Sequence, residues 1–283
     1  MRIAALSALM ITLSFFSAAK KNHSTDLVPP HSFTSGIEGP AFDKEGNLYV
    51  VNYLRQGTIG KIDKSGKASL YLTLPGSSVG NGIQFGRTGD MYIADYVNHT
   101  IFRKKSGETT LTIFSHEPAM NQPNDLVITD SGMLFASDPD WENSKGQLWR
   151  IAKNGKATLI EADMGTTNGI ALSPDNRFLY VNESVQRKVW KYSLSSDGNV
   201  SNKTLLHEFT DHGLDGMQCD SKGNLYIARY GAGEVAVLAP SGELSRVINL
   251  QGQYPTNIAL HEGENITVYV TMQKRGTVEV LTL

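Results

Sequence analysis

Several features are scarce in this 283-residue sequence, and each absence removes a class of protein. The one cysteine, Cys219, excludes an internal disulfide framework and a Cys-rich metal cluster. The 26 Lys and Arg are balanced by 28 Asp and Glu, so a net charge of −2 gives no basic face for a nucleic acid or an anionic membrane surface. No stretch has the periodicity of a long amphipathic helix. The remaining composition, with 40% hydrophobic residues, is typical of a globular chain.

A long hydrophobic run occurs only at the N-terminus. Fourteen uncharged residues, 3–16, follow Arg2 and precede the small residues Ser17, Ala18 and Ala19. This order is typical of a secretory signal peptide and its cleavage site. The alternative is an uncleaved anchor, but a bilayer span needs about 20 apolar residues. We therefore expect a signal peptide over residues 1–19, a secreted or periplasmic mature chain, and no stable membrane association after cleavage.

A short phrase occurs six times in the rest of the chain. Each copy has an alternating apolar run, a polar turn, and a second run of β-branched or aromatic residues, which predicts two strands around a tight turn. The copies are IEGPAFDKEGNLYV from Ile37, GNGIQFGRTGDMYI from Gly80, PNDLVITDSGMLFA from Pro123, TNGIALSPDNRFLYV from Thr167, LDGMQCDSKGNLYI from Leu214 and PTNIALHEGENITVYV from Pro255. A second hairpin follows each of the first five copies.

Four strands per unit at this spacing predict the blades of a β-propeller. The sixth unit stops at Leu283 after its third strand, while a strand-like segment from Leu27 to Phe33 precedes the first copy. We expect that segment to complete the sixth blade, because an unpaired edge would invite aggregation. The predicted fold is therefore all-β: one six-bladed β-propeller domain over residues 20–283, with four antiparallel strands per blade and the ring closed by an N-terminal strand.

One polar residue from each copy falls in a single aligned column at the start of the innermost strand, which predicts that six side chains converge at one mouth of the central channel. The column consists of Glu38, Asn81, Asn124, Asn168, Asp215 and Thr256. Carboxylates and carboxamides gathered in a water-poor site repel or stay unpaired unless a cation accepts their oxygens. Oxygen donors suit Ca²⁺ first and Mg²⁺ or Mn²⁺ after it. The alternative is that each Asn or Asp only caps a turn.

Over the whole mature chain, the phrases around this column resemble the senescence-marker-protein/gluconolactonase family of six-bladed propellers. The phrases are Gly36-Ile37-Glu38-Gly39-Pro40, Pro123-Asn124-Asp125-Leu126, Asn168-Gly169-Ile170-Ala171-Leu172-Ser173, Leu214-Asp215-Gly216-Met217 and Ala228-Arg229-Tyr230-Gly231. The resemblance implies a hydrolase of sugar lactones; more distant relatives cleave aryl esters or organophosphates. We therefore expect a small-molecule lactone or ester substrate and a monomeric enzyme.

The resemblance also implies roles for individual residues. Glu38, Asn168 and Asp215 hold a divalent ion, with Ca²⁺ first and Mg²⁺, Mn²⁺ or Zn²⁺ as alternatives. Asn124 takes a position that contacts metal or substrate, and Asp215 also acts as the catalytic acid/base. The expected substrate contacts are Asn124, Gln122, Glu142 and Asn81. Where this sequence has Gln122, some members of the family carry an arginine, which weakens any assignment to a specific sugar acid.

Two rival functions and two rival motifs stay open at this point. A metal-dependent arylesterase or phosphotriesterase would use the same site, and a non-catalytic propeller would bind peptide or carbohydrate on its rim. The run from Gly76 to Gly80 matches a nucleophile elbow, but that motif requires a following helix where a strand is predicted. The acidic run from Asp138 to Glu142 lacks the glycine and the terminal glutamate of an EF-hand loop.

Overall fold

The computed structural model describes residues 24–283, which form 24 strands and no helix. None of these residues belongs to a helix long and apolar enough to cross a membrane. The predicted signal peptide, residues 1–19, lies outside the described residues, and the domain boundary at residue 20 also stays a prediction. The described chain is an all-β ring of six four-stranded antiparallel sheets, which confirms the six-bladed propeller predicted from the repeats.

The first five sheets each use four consecutive strands, and their order from the axis outward follows the chain. Blade 1 has β2 (Ala41–Phe42), β3 (Leu48–Val51), β4 (Thr58–Ile62) and β5 (Ala68–Thr73). Blade 2 has β6 (Gly80–Phe85), β7 (Met91–Asp95), β8 (Thr100–Lys104) and β9 (Leu111–His116). Blade 3 has β10 (Leu126–Ile128), β11 (Leu134–Asp140), β12 (Lys145–Ile151) and β13 (Ala157–Met164).

Blades 4 and 5 repeat this arrangement, and blade 6 departs from it. Blade 4 has β14 (Thr167–Leu172), β15 (Phe178–Glu183), β16 (Lys188–Leu194) and β17 (Val200–Glu208). Blade 5 has β18 (Met217–Cys219), β19 (Leu225–Arg229), β20 (Glu234–Leu238) and β21 (Leu244–Asn249). Blade 6 has β22 (Pro255–Glu262), β23 (Ile266–Met272) and β24 (Thr277–Thr282), with β1 (Thr25–Asp26) as its outer strand.

The hydrophobic core is divided into six clusters, each between two neighbouring blades. Between blades 1 and 2, for example, Val51 and Ile59 pack against Ile83 and Ile93, all of them almost fully buried. Buried aliphatic side chains on both faces of a sheet explain why the second strand of a blade is continuously apolar, as in the fully buried β3. No blade can bury both faces alone, so the ring is stable only when closed.

The N-terminal segment closes the ring at blade 6, as the sequence predicts, but the closing strand β1 lies just before the predicted segment. Residues Thr25 and Asp26 pair with β24, and the backbone N–H groups of His31 and Phe33 donate to the carbonyl oxygens of Arg275 and Gly276. The predicted segment from Leu27 to Phe33 therefore joins blade 6, but as turns. The physical reason is the pair Pro29-Pro30, because proline has no N–H to give to a strand ladder.

An ion-pair network fixes this closure. The Arg275 guanidinium donates to Asp26 Oδ2 at 2.7 Å and also to the fully buried Glu279 carboxylate. Glu279 further accepts the hydroxyl of Ser24 at 2.6 Å and the N–H of Gln251 at 2.9 Å. The N-terminal strand and the last strand are thus joined by one buried carboxylate and its donors.

We expect Arg275→Gln to lower the free energy of unfolding by about 2 kcal/mol, because it leaves the buried Glu279 without its cation. The neighbouring Lys274 is exposed, so Lys274→Gln removes the same charge and should change stability by no more than about 0.5 kcal/mol. Urea unfolding of both variants measures the difference. Equal midpoints for the two variants would contradict the role of Arg275 in closing the ring.

Candidate metal and active site at the propeller axis

A cavity of about 380 Å³ opens at the end of the channel where the inner strands begin. All six side chains of the predicted column line this cavity, one from each blade. They converge because each stands within three residues of the start of an inner strand, and neighbouring inner strands contact each other around the axis. The structure thus brings together residues that lie more than 200 positions apart in sequence.

Three amide oxygens in the cavity wall lack the partners that buried polar atoms normally have. The Oδ1 atoms of Asn81, Asn124 and Asn168 are buried, and within residues 24–283 none of them accepts a hydrogen bond. Leaving a buried acceptor unpaired costs about 1–3 kcal/mol. A turn-capping role would have supplied each oxygen with a donor, so the capping alternative fails for these three atoms.

The carboxyl groups at the axis are crowded and repel each other when ionised. Burial raises the pKa of Glu38 to about 7, although its hydrogen-bonding interactions, among them one with Asp215, act in the opposite direction. Burial, together with the charges of Glu38 and Asp125, raises the pKa of Asp215 well above its usual range. Burial and the charge of Glu38 have the same effect on the pKa of Asp125. The site therefore requires positive charge if these groups are to be ionised.

Asp125 and Asn257 also belong to the site, although the sequence pattern predicts no role for either residue. The Asn257 amide Nδ2 donates to Asp125 Oδ1 at 2.8 Å and to Glu38 Oε2 at 3.0 Å, which joins carboxylates from blades 1 and 3 through blade 6. Both residues directly follow a member of the predicted column. In the other four blades the residue after the column residue is glycine. A polar residue at this otherwise glycine position is the sequence feature that distinguishes Asp125 and Asn257.

The glycines make room for this arrangement. A Cβ atom on Gly216 would lie 2.0 Å from the side chain of Asn257, and a Cβ atom on Gly39 would lie 2.0 Å from the carbonyl oxygen of Asn81. Gly39 also has a φ of +55°, a conformation that other residues rarely adopt. Neighbouring blades can therefore approach the axis closely enough for their polar groups to share one site.

These donors fit a hard divalent cation. Carboxylate oxygens from Glu38 and Asp215 and amide oxygens from Asn124 and Asn168 are the ligand types that Ca²⁺ takes, six to eight in number with water. Within the described part of the chain, no group of three or more His, Cys, Asp and Glu side chains is placed to hold a metal ion. A metal at the axis must therefore use the amide oxygens, which are also the atoms left unpartnered.

The rim of the cavity contains one expected substrate contact and lacks another. Gln122 lines the cavity, and its backbone N–H donates to the buried Asp138 carboxylate at 2.6 Å. Glu142 does not line it. Glu142 is exposed in the turn after β11, where its neighbour Trp141 lines the cavity instead, because one step along a turn changes which side chain reaches the channel. The acidic run from Asp138 to Glu142 is thus a structural support and a solvated loop.

Comparison with known sequences identifies the relationship. The family described as the SMP-30/gluconolactonase/LRE-like region matches residues 37–274, most of the chain. A gluconolactonase from Zymomonas mobilis is 28% identical over 247 residues, covering 75% of this chain and 69% of the relative. A diisopropyl-fluorophosphatase from Loligo vulgaris is 25% identical over 275 residues, covering 86% of this chain and 87% of the relative.

Among solved structures, a calcium-binding protein named regucalcin from Agrobacterium tumefaciens superposes with a TM-score of 0.79 at 21% identity. The match covers 93% of this chain and 95% of that one. At this identity the similarity shows a shared fold. The family match over residues 37–274 confirms the resemblance that the sequence motifs indicate.

Because the carboxyl groups are crowded, we expect that neutralising one of them stabilises the protein without metal and reduces its stabilisation by metal. With chelator present, Glu38→Gln should raise the melting temperature by about 3 °C, because it removes a buried charge that lacks a counter-ion. With Ca²⁺ added, the same variant should lose most of the Ca²⁺-induced rise that the unmodified protein shows.

Glu142→Gln is the matched control, since Glu142 is exposed and outside the cavity. Differential scanning calorimetry with Ca²⁺ and with chelator provides both values for each variant. A Ca²⁺-induced rise that is as large in Glu38→Gln as in Glu142→Gln would rule out Glu38 as a ligand.

Proposed function

Because the chain belongs to the SMP-30/gluconolactonase/LRE-like family, we propose that it is a divalent-metal-dependent hydrolase of lactones, with Ca²⁺ as its preferred ion. One observation carries the metal dependence: the unpartnered oxygens of Asn124 and Asn168 lie in the same cavity as the carboxylates of Glu38 and Asp215. The hydrolases among its relatives support the reaction class. A non-catalytic propeller would have no need to bury such a set of groups.

The proposed metal ligands are Glu38, Asn124, Asn168 and Asp215. When bound, a divalent ion there supplies Lewis-acid polarisation of the substrate carbonyl group. The chain contributes the arrangement of the site. The Asn257 amide donates a hydrogen bond to the Glu38 carboxylate at 3.0 Å, and the N–H of Gly216 donates one to Asp215 Oδ1 at 3.1 Å. Both carboxylates are therefore positioned before substrate binds.

Asp215 is the proposed general base. It accepts a proton from the attacking water as the water oxygen bonds to the lactone carbonyl carbon, and it returns that proton to the ring oxygen as the ring C–O bond breaks. The product is a hydroxy acid, and the carboxylate ends the cycle ionised as it began. Asn124, Asn81 and Gln122 line the cavity beside Asp215 and are the proposed substrate contacts.

A second candidate is hydrolysis of aryl esters or phosphotriesters on the same residues. The observation that favours it is the aromatic rim, since Tyr96, Trp141 and Tyr230 line the mouth of the cavity. Flat aromatic walls accept an aryl leaving group as readily as the face of a lactone ring.

The test of the function is a hydrolysis panel with one lactone, one aryl ester and one organophosphate triester. We expect the highest kcat/KM with the lactone, loss of turnover with chelator, and recovery when Ca²⁺ is restored. Turnover of the triester or aryl ester alone would favour the second candidate. Turnover that a chelator leaves unchanged would contradict the metal dependence.

Asp215→Asn should lower kcat/KM for the best substrate at least about 100-fold, because it removes the proposed general base. Asp220 is the matched control: it is a buried aspartate on the same hairpin of blade 5, but it lies outside the cavity, where it accepts N–H groups of its own turn. Asp220→Asn should therefore retain turnover. Equal activities of the two variants would remove Asp215 from the mechanism.

A further inference from the structure

The cavity wall has acidic groups but lacks basic side chains among the described residues. Among residues 24–283, those that line the cavity include no Lys, Arg or His. Two basic residues are next in sequence to the lining. Arg229, before Tyr230, is withdrawn from the site: it is 2% exposed, and its guanidinium donates to Asp211 Oδ1 at 2.6 Å and stacks on Phe209. Lys274, which follows a lining glutamine, is exposed and does not itself line the cavity. A negatively charged substituent would find no cationic side chain in the wall.

The acidic groups set the sign of the potential in this cavity. Glu38, Asp125 and Asp215 carry three negative charges when ionised, and a divalent ion offsets two of them. An anionic substituent on the substrate therefore meets net negative charge in a partly desolvated space, where such repulsion is weakly screened. The uncharged part of the wall consists of amides, hydroxyls, the three rim aromatics, two glycines and Ile37.

We propose that the substrates are lactones without a negatively charged substituent, and that the cavity discriminates against their sulfonated, phosphorylated or carboxylated analogues. This inference rests on the proposed lactonase function and adds a substrate class to it. The uncharged face of the lactone packs against the rim, where Trp141 forms an open wall that is 44% exposed. Hydrolysis creates a carboxylate on the product, so the negative charge of the cavity also favours release of the product.

The test compares two lactones that differ in one group, glucono-1,5-lactone and 6-deoxy-6-sulfogluconolactone, with the Ca²⁺-loaded protein. We expect kcat/KM for the neutral lactone to exceed that for the sulfonated one by roughly 10-fold or more, and added salt to narrow the gap. Trp141→Arg places a cation on the rim at an exposed position and should reduce this ratio several-fold. Trp141→Met, of similar length but uncharged, should leave the ratio as it is.

Calorimetric binding of the two corresponding δ-lactams, which lack the cleavable ester, separates this inference from the proposed function. Preferred binding of the neutral lactam without hydrolysis of either lactone would uphold the charge discrimination and contradict the lactonase function. A sulfonated lactone or lactam that is used or bound as well as its neutral partner would overturn the inference. Failure of both lactams to bind and of both lactones to react would contradict both proposals.

Discussion

Three carboxyl groups, those of Glu38, Asp125 and Asp215, share one buried site at the propeller axis, and their mutual repulsion is the constraint on which the rest of the site depends. Burial raises the pKa of each of them, so the ionised site requires positive charge from outside the chain. The cavity wall provides amide oxygens without donors and no basic side chain among the described residues. The proposed metal dependence, the proposed general-base role of Asp215 and the proposed exclusion of anionic substrates all rest on this imbalance.

The fold makes this imbalance tolerable. Six interblade cores and the closure of blade 6 by the N-terminal strand hold the inner strands together, so the repelling groups cannot move apart. Glycine after four of the six column residues allows close approach of the blades, and Asp125 and Asn257 use the space at the other two positions. Rigid support of a strained polar site is typical of functional centres.

Most of the fold was predictable from the sequence, because six copies of one hairpin phrase at regular spacing allow few architectures. The convergence of Glu38, Asn168 and Asp215 also followed from the repeat. The roles of Asp125 and Asn257 could not be predicted from the repeat, since a hydrogen bond across the axis depends on side-chain positions in different blades. Glu142 shows the same limit on the rim, where a turn of a few residues decides which side chain faces the channel.

The central claim is that the axial oxygens of this chain bind a divalent cation, and anomalous diffraction from crystals grown with Mn²⁺ in place of Ca²⁺ tests it most directly. We predict one strong anomalous peak on the axis, within about 2.0–2.6 Å of oxygens from Glu38, Asn168 and Asp215. Absence of a peak at the axis in crystals that diffract well at the manganese edge, or a peak only elsewhere on the molecule, would contradict the account.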